Sequence, residues 1–236
     1  MSGPEGSSNK HCIVCAVGYS APSILRLSVI KSVAGRSFSS RRLLLTAERK
    51  IHMVSLVHKA EIMDEAAMKR ALRRIAHEII ENNHGTQDLC VIGIQRRGVS
   101  LAQMLCAEIE QFEHTRLPLG TLDITFYRDD LSMLSEQPVV HSTEIPFSIE
   151  RMKVVMVDDV LFSGRTARAA MDAICSRGRP AQIQLAVLID RGHRELPIRA
   201  DYVGKNVPTR KSEMIGVSVP EFDGRLGVDL YESAQS

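Results

Sequence analysis

Apolar and polar residues alternate in blocks along residues 55–236, and the blocks predict strands that alternate with helices. Largely apolar runs, typical of strands buried on both faces, lie at 89–94, 154–157 and 182–190. Helices are predicted between them, at about 99–112 and 167–175. This order favours an α/β fold, with a parallel twisted sheet and helices on both of its faces.

The first predicted helix carries one narrow apolar stripe. Asp64 is its expected N-cap, and it runs to about Asn82 before Asn83-His-Gly85 ends it. The stripe consists of Met68, Leu72, Ile75 and Ile79. The opposite side carries Arg70, Arg73, Arg74 and His77, and a basic face of this kind, taken alone, is typical of solvated surface.

The remaining segments predict a protruding hairpin and a closing strand pair. Residues 120–127 alternate as a strand does, and a long polar stretch follows, which we expect to form a hairpin that returns through 145–147. Residues 191–209 are predicted to be a polar loop. Strands at 214–219 and 227–231 are expected to pair through the turn at 220–225.

The first 54 residues differ in composition from the rest of the chain. They are rich in Ser and Arg and hold 8 basic residues against 2 acidic ones, with no sustained periodicity. We expect 1–54 to be a disordered, non-catalytic extension and 55–236 to be the folded domain. The composition is typical of an organellar transit peptide, while Met53 also fits a later translation start, so both explanations stay open.

Charge and cysteine content indicate the compartment and the kinds of partner to expect for the protein. The formal net charge of +2 comes from the extension, because residues 55–236 hold 22 basic and 26 acidic residues. Five cysteines are an odd number, and three lie in apolar segments of the expected core, which favours a reducing compartment. No apolar run approaches the roughly 20 residues of a membrane span. The sequence therefore predicts a cytoplasmic protein without a membrane partner, and organellar targeting is the less favoured alternative.

The candidate chemistry centres on residues 153–166, Lys-Val-Val-Met-Val-Asp-Asp-Val-Leu-Phe-Ser-Gly-Arg-Thr. Asp158 and Asp159 are expected at the carboxyl end of the buried strand, where open α/β sheets bind ligands. The turn Ser163-Gly-Arg-Thr166 leads into a helix, whose free N–H groups and dipole attract an anion. Carboxylates accept hydrogen bonds from ribose hydroxyls, so the segment predicts a sugar-phosphate site. Arg96 and Arg97 follow the preceding strand and place cations where a second anion would bind.

Residues 153–166 resemble the phosphoribosyl-pyrophosphate (PRPP) motif of type I phosphoribosyltransferases. Segments 70–77, 123–132, 157–166 and 188–209 are similar to the bacterial bifunctional family of pyrimidine-operon attenuators and uracil phosphoribosyltransferases. The resemblance implies the type I fold with a flexible hood hairpin. It implies two activities: synthesis of UMP and diphosphate from uracil and PRPP, and UMP-stimulated binding of operon leader mRNA that favours transcription termination. It also implies a homodimer or a higher homo-oligomer.

The resemblance assigns roles to individual residues. Asp158 and Asp159 would fix the ribose hydroxyls, one of them assisting removal of the uracil N1 proton, and Arg128, with Tyr127, would arrive when the hood closes. Mg²⁺ would enter with PRPP, with no ligand directly from the protein. The expected PRPP and UMP contacts are Arg96, Arg97, Gly98, Asp158, Asp159, Val160, Leu161, Phe162, Ser163, Gly164, Arg165 and Thr166. Those expected for uracil are Val160, Ile189, Asp190 and Arg191, largely through backbone groups.

Two basic clusters are the expected RNA contacts. They are Arg70, Arg73, Arg74 and His77 on the first helix, and His193, Arg194, Arg199 and Lys205 in the later loop. They would form one basic face if the two elements are adjacent, although the same cations would also suit salt bridges in a dimer interface. A purely metabolic uracil phosphoribosyltransferase and a regulator without catalysis are the alternatives, and the intact aspartate pair disfavours the second. Gln95 and Arg210 depart from the pattern of the family.

Overall fold

A computed structural model describes residues 56–124 and 143–233. Within them the chain forms two sheets, one parallel and one antiparallel, with helices between the strands. In chain order the elements are β1 (Leu56–Met63), α1 (Glu65–Asn83), β2 (Leu89–Ile94), α2 (Arg97–Glu113), β3 (Leu119–Leu122), β4 (Lys153–Leu161), α3 (Arg165–Cys175), β5 (Gln182–Asp190), β6 (Tyr202–Asn206), β7 (Glu213–Ser218), α4 (Pro220–Asp223) and β8 (Gly227–Ser233).

The main sheet is parallel and has the strand order β3-β2-β4-β5-β6. From β2 the chain crosses to β3 on one side and then returns to β4 on the other, so the strand order reverses between β2 and β4. Open α/β sheets bind ligands outside the carboxyl ends of the strands at such a reversal. The pairing of β2 with β4 ends at Gly93 and Val157, whereas β4 stays paired with β5 as far as Leu161. The last four residues of β4 therefore border an open crevice.

Helices cover both faces of the main sheet, as the sequence predicts. On one face α1 and α2 bury their apolar sides against the strands, and Ile79 and Ile109 are fully buried there. On the other face α3 packs small residues such as Ala170 against β4 and β5. Asp64 caps α1 by accepting a hydrogen bond from the N–H of Ala67, which confirms the predicted start of that helix.

A second, antiparallel sheet has the order β1-β8-β7. The predicted pairing of the two closing strands is confirmed, with α4 as the connection. Strand β1 was not predicted, because half of its residues are exposed and it shows no clean apolar alternation. Asp229 of β8 is buried in this sheet and accepts hydrogen bonds from His58 and Arg225.

Several predicted boundaries are wrong. The strand predicted over 120–127 ends at Leu122, and the predicted loop 191–209 contains β6, which adds an edge strand to the main sheet. Helices α2 and α3 each begin two residues earlier than predicted, so Arg97 and Arg165 are helical. Cys175 is exposed, while Cys90 and Cys106 are buried as expected. The extra helical residues form first turns that lack the apolar periodicity on which the prediction relied.

Part of the predicted hood and the predicted extension lie outside the described residues. Of the hood segment, residues 143–147 are described, and Glu144 forms an isolated antiparallel bridge with Thr121. Residues 1–54 are likewise outside the described part of the chain. Among the described helices, none combines the length and apolar character that crossing a membrane requires.

Ile92 lies at the centre of β2, where its side chain is fully buried. Replacing it with alanine leaves a cavity among close-packed neighbours, so we expect Ile92→Ala to lower the free energy of unfolding by about 2–5 kcal/mol. Val57→Ala is the matched control, because Val57 is 56% exposed and its loss should change stability by less than about 0.5 kcal/mol. Urea denaturation followed by circular dichroism measures both, and equal midpoints for the two variants would contradict the assigned core.

Candidate active site

The first turn of α2 lies directly against the end of β4. A Cβ atom on Gly98 would lie 2.4 Å from the carbonyl oxygen of Val157 and 3.3 Å from the Cα of Asp158. Only a residue without a side chain allows the two backbones to approach so closely. The loop that carries Arg96 and Arg97 is thereby held beside the strand that carries the aspartates. The sequence predicts this arrangement, because it places both anion sites at the carboxyl ends of the strands.

Asp158 and Asp159 belong to β4 and do not follow it, which corrects the predicted end of the strand at Val157. The strand continues because β5 continues to pair with it beyond the end of β2. Each carboxylate accepts a hydrogen bond from the next backbone N–H, at 3.0 Å from Asp159 and 2.8 Å from Val160. These local bonds fix both side chains at the rim of the crevice.

Both carboxyl groups have a raised pKa. Burial is the main cause of the raised pKa at Asp158, and the adjacent charge of Asp159 adds to it. Burial also raises the pKa of Asp159, against the opposing effects of the Val160 N–H and of the positive charge on Arg97. A carboxylate with a raised pKa is a stronger base, which is the property that removal of a proton from a substrate requires.

The turn after β4 provides a second set of donors. Gly164 has a φ of 92°, in the left-handed region that favours glycine, and it is the N-cap of α3 without any side-chain cap for the helix. The N–H of Arg165 lies 3.4 Å from the hydroxyl of Ser163, while the Ser163 carbonyl accepts from the N–H groups of Glu195 and Leu196. Apart from this long contact with Ser163, the first turn of α3 has no side-chain cap, and its backbone donors suit a phosphate.

The two arginines of the α2 loop have different surroundings. Arg96 is exposed and precedes the helix. The Nη2 atom of Arg97 donates to both carboxylate oxygens of Asp223, at 3.0 and 3.2 Å. Its Nε atom is buried and has no hydrogen-bond acceptor among the described residues. Arg97 is therefore partly paired, and this contact was not predicted from the sequence.

The expected uracil contacts lie at the adjoining ends of β4 and β5. Val160 is half-buried and Ile189 fully buried, and the N–H of Arg191 donates to the carbonyl of Leu161. The Arg191 guanidinium lies 4.2 Å from the ring centre of Phe162, whose ring is 39% exposed. That guanidinium also donates to Thr209 and to the carbonyls of Arg210 and Glu213. Its burial and these bonds show that the side chain anchors the loop, a role that the sequence analysis missed.

The basic residues of α1 divide between two neighbouring elements. Arg73 pairs with Glu108 of α2 at 2.8 Å, and the ring of His77 stacks on Phe112. Arg74 donates to the carbonyls of Val203 and Gly204 in β6. Arg70 is exposed. The first cluster is thus on the surface, and Arg74 places β6 directly beside it.

The second basic cluster does not lie in one place. Lys205 of β6 donates to the carbonyl of Ile62, just before α1, so it joins the first cluster. His193 bonds to the carbonyl of Thr209, and Arg194 pairs with Asp190 while it donates to the carbonyls of Phe162 and Ile198. These two residues hold the loop at the carboxyl ends of the strands. Arg199 is exposed and lowers the pKa of Asp190 by its charge, after the larger effect of Arg194.

Two predicted features lie beyond these contacts. Arg128 and Tyr127 are outside the described residues, so their arrival with the hood stays a prediction. Within 56–124 and 143–233, the structure brings no three His, Cys, Asp or Glu side chains into a metal-binding group.

Comparison with known proteins identifies the class. Residues 58–221 match the phosphoribosyl transferase domain family. A hypoxanthine phosphoribosyltransferase of Trypanosoma cruzi superposes with a TM-score of 0.58 at 19% identity, covering 75% of this chain and 98% of that one. One from Staphylococcus aureus gives 0.55 at 20% identity, covering 75% and 93%. These likenesses establish the fold, which is the predicted type I phosphoribosyltransferase fold.

Relatives with higher sequence identity identify the family to which the chain belongs. The protein is 65% identical over 163 residues to the bifunctional protein PyrR of Caldicellulosiruptor bescii, covering 69% of this chain and 90% of the relative. It is 59% identical over 177 residues to that of Pelotomaculum thermopropionicum, covering 75% and 98%. The chain belongs to the PyrR family of bifunctional proteins.

The raised pKa of Asp158 has a consequence for stability. Its folded-state pKa lies above the ordinary 3.8, so the contribution of this group to stability is full below about pH 4 and is lost as the pH rises through the folded pKa. At neutral pH, Asp158→Asn removes the cost of a buried charge. We expect the variant to melt about 2–4 °C higher at pH 7, equivalent to about 1 kcal/mol, with a smaller gain at pH 4. Differential scanning calorimetry at both pH values checks this, and a lower melting temperature at pH 7 would contradict it.

Proposed function

We propose that this protein transfers the phosphoribosyl group of PRPP to uracil, giving UMP and diphosphate, and that with UMP bound it binds pyrimidine-operon leader mRNA to promote transcription termination. One observation carries the enzymatic part. The Arg96-Arg97 loop, the Asp158-Asp159 pair and the uncapped first turn of α3 all meet at the carboxyl end of β4, in a member of the PyrR family.

The chemistry requires charge to be stabilised at both ends of a breaking bond. As diphosphate leaves C1, the sugar becomes cationic and the leaving oxygens gain negative charge. Arg96 and Arg97 supply fixed positive charge for diphosphate, and the α3 amides with Ser163 and Thr166 hold the 5′-phosphate. Asp158 and Asp159 hold the ribose hydroxyls, and Arg128 is assigned to the hood that excludes water.

Asp159 is the better candidate for the residue that takes the N1 proton. Both aspartates have a raised pKa, but the charge of Arg97 favours the ionised form of Asp159. A base must be ionised before it can accept a proton, and a raised pKa makes it stronger once ionised. We therefore assign removal of the N1 proton to Asp159, while Asp158 holds the ribose hydroxyls.

Mg²⁺ is the cofactor that this substrate implies, and it would be carried by PRPP. Mg²⁺ usually keeps several bound waters, and the carboxylate oxygens of Asp158 and Asp159 can accept hydrogen bonds from them. The rim of the crevice therefore fits an ion that PRPP carries. When bound, Mg²⁺ neutralises part of the diphosphate charge.

The RNA-binding part is supported by the surface around α1 and β6. Arg70 and Lys205 are exposed, and Arg74, four residues after Arg70 on α1, donates to the carbonyls of Val203 and Gly204 in β6. Such a surface can neutralise RNA phosphates, while unpaired bases bind to groups nearby. Arg199 belongs to the predicted contacts as a separate exposed cation. A homodimer or higher homo-oligomer in a bacterial-type cytoplasm is part of this proposal, and the free thiols of Cys90 and Cys106 fit a reducing compartment.

A metabolic uracil phosphoribosyltransferase without an RNA role is the second candidate. It is favoured by the number of predicted RNA contacts that are already engaged within the protein, notably Arg73, His193 and Arg194.

Removing the proposed base tests the enzyme. Asp159→Asn keeps the shape of the side chain and its acceptor for the Val160 N–H, yet it cannot take a proton. We expect kcat to fall about 10²- to 10⁴-fold, measured with radiolabelled uracil and PRPP. Asp172→Asn on the exposed side of α3 is the control and should keep wild-type turnover. Full activity in Asp159→Asn would remove it from the reaction.

Arg70→Ala tests RNA binding, because Arg70 is an exposed cation on α1 and is not among the expected substrate contacts. Loss of one phosphate contact should weaken binding of leader RNA and reduce the slope of log affinity against log salt by about one, without changing UMP synthesis. Gel shifts with and without UMP measure this. Arg177→Ala, an exposed arginine after α3, is the control. Equal RNA affinity for both variants and the wild type would favour the purely metabolic enzyme.

A further inference from the structure

The connection between β7 and β8 contacts the diphosphate loop. The short helix α4 carries two acidic residues whose side chains reach α2. Glu221 accepts a hydrogen bond from the Ser100 hydroxyl at 2.6 Å, and Asp223 accepts from Arg97 at 3.0 and 3.2 Å. The small sheet is therefore joined to the first turn of α2 by two separate polar contacts.

Asp223 is held in place by its own turn. Its second carboxylate oxygen accepts from the N–H of Val219 at 3.0 Å, and the N–H of Gly224 donates to the carbonyl of Pro220 to close α4. Pro220 restricts the backbone at the start of this turn. The acceptor for Arg97 is therefore fixed by backbone contacts that do not involve Arg97.

Arg97 retains donors that this pairing does not use. Asp223 engages the Nη2 atom alone, and the buried Nε has no acceptor among the described residues. A buried donor without an acceptor is costly, so Arg97 lacks a full set of partners in the free protein. The positive charge of Arg97 also opposes the rise that burial causes in the pKa of Asp159, so the guanidinium that Asp223 holds is close enough to act on the aspartate pair.

We infer that Asp223 is a positioning residue that holds the Arg97 guanidinium by Nη2 and leaves its other donors to the diphosphate of PRPP. The inference rests on the proposed function, because that function supplies the anion. An arginine side chain loses considerable freedom when it is fixed, and an arginine already held by Asp223 has less freedom to lose on binding. If Asp223 instead competed with diphosphate for Arg97, its removal would strengthen binding.

Asp223→Asn removes the charge and keeps the shape of the side chain. We expect the Kd for inorganic diphosphate in the presence of Mg²⁺, measured by isothermal titration calorimetry, to rise about tenfold. The KM for PRPP should rise by a similar factor while kcat changes less than about threefold. In an Arg97→Ala background, Asp223→Asn should have no further effect, because the two residues act as one unit.

Two controls separate positioning from folding. Ser100→Ala removes the neighbouring contact of α4 and leaves the pair of Arg97 and Asp223 in place, so its diphosphate affinity should stay that of the wild type. Asp172→Asn removes a carboxylate from an exposed pair elsewhere. Equal loss of affinity in Ser100→Ala and Asp223→Asn would show that α4 acts only through the fold and would overturn the inference.

The remaining outcomes are also decisive. Unchanged or tighter diphosphate binding by Asp223→Asn would overturn the inference, and so would an absence of diphosphate binding by the wild-type protein. Wild-type protein that binds diphosphate but does not convert uracil would refute the proposed function and leave the role of Asp223 intact, because the calorimetric comparison needs no turnover.

Discussion

The close contact of Gly98 with Val157 is the constraint on which the site depends. A side chain at position 98 would overlap the carbonyl of Val157, so the backbone of α2 can approach β4 only through glycine. That approach places the two arginines of the loop beside the two aspartates of the strand. Because β2 stops pairing with β4 at Val157, the same point opens the crevice between them. The same backbone contact therefore packs α2 against β4 and forms the ligand site.

The electrostatic design follows from that geometry. Asp158 and Asp159 are adjacent and partly buried, so their charges are unfavourable in the free protein. The first turn of α3 has no side-chain cap, and the buried Nε of Arg97 has no acceptor among the described residues. Hydrogen-bond donors at the site therefore lack partners in the free protein. A ligand with ribose hydroxyls, a 5′-phosphate and a diphosphate satisfies these groups together. The free site is thus less stable than it would be with neutral residues, a common cost of a binding site prepared in advance.

Sequence reasoning succeeded where a local pattern decides the structure. The bounds of β5 agree with prediction at both ends because polar residues flank its central apolar run, 185–189. Asp64 was predicted as a cap from its position before an amphipathic helix. It failed where long-range contacts decide. Half of the residues of strand β1 are exposed and the strand is held by pairing with β8, while β6 is an edge strand within a polar segment. The pair of Arg97 and Asp223 spans 126 positions along the chain, and no local pattern predicts it.

The central claim is that a phosphoribosyl group binds at the carboxyl end of β4. A crystal structure of the protein with PRPP and Mg²⁺ tests it most directly. We expect the 5′-phosphate on the N–H groups of the first turn of α3, the ribose hydroxyls on Asp158 and Asp159, and the diphosphate beside Arg96 and Arg97. Electron density for PRPP at another place on the protein, with this crevice filled only by water, would contradict the account.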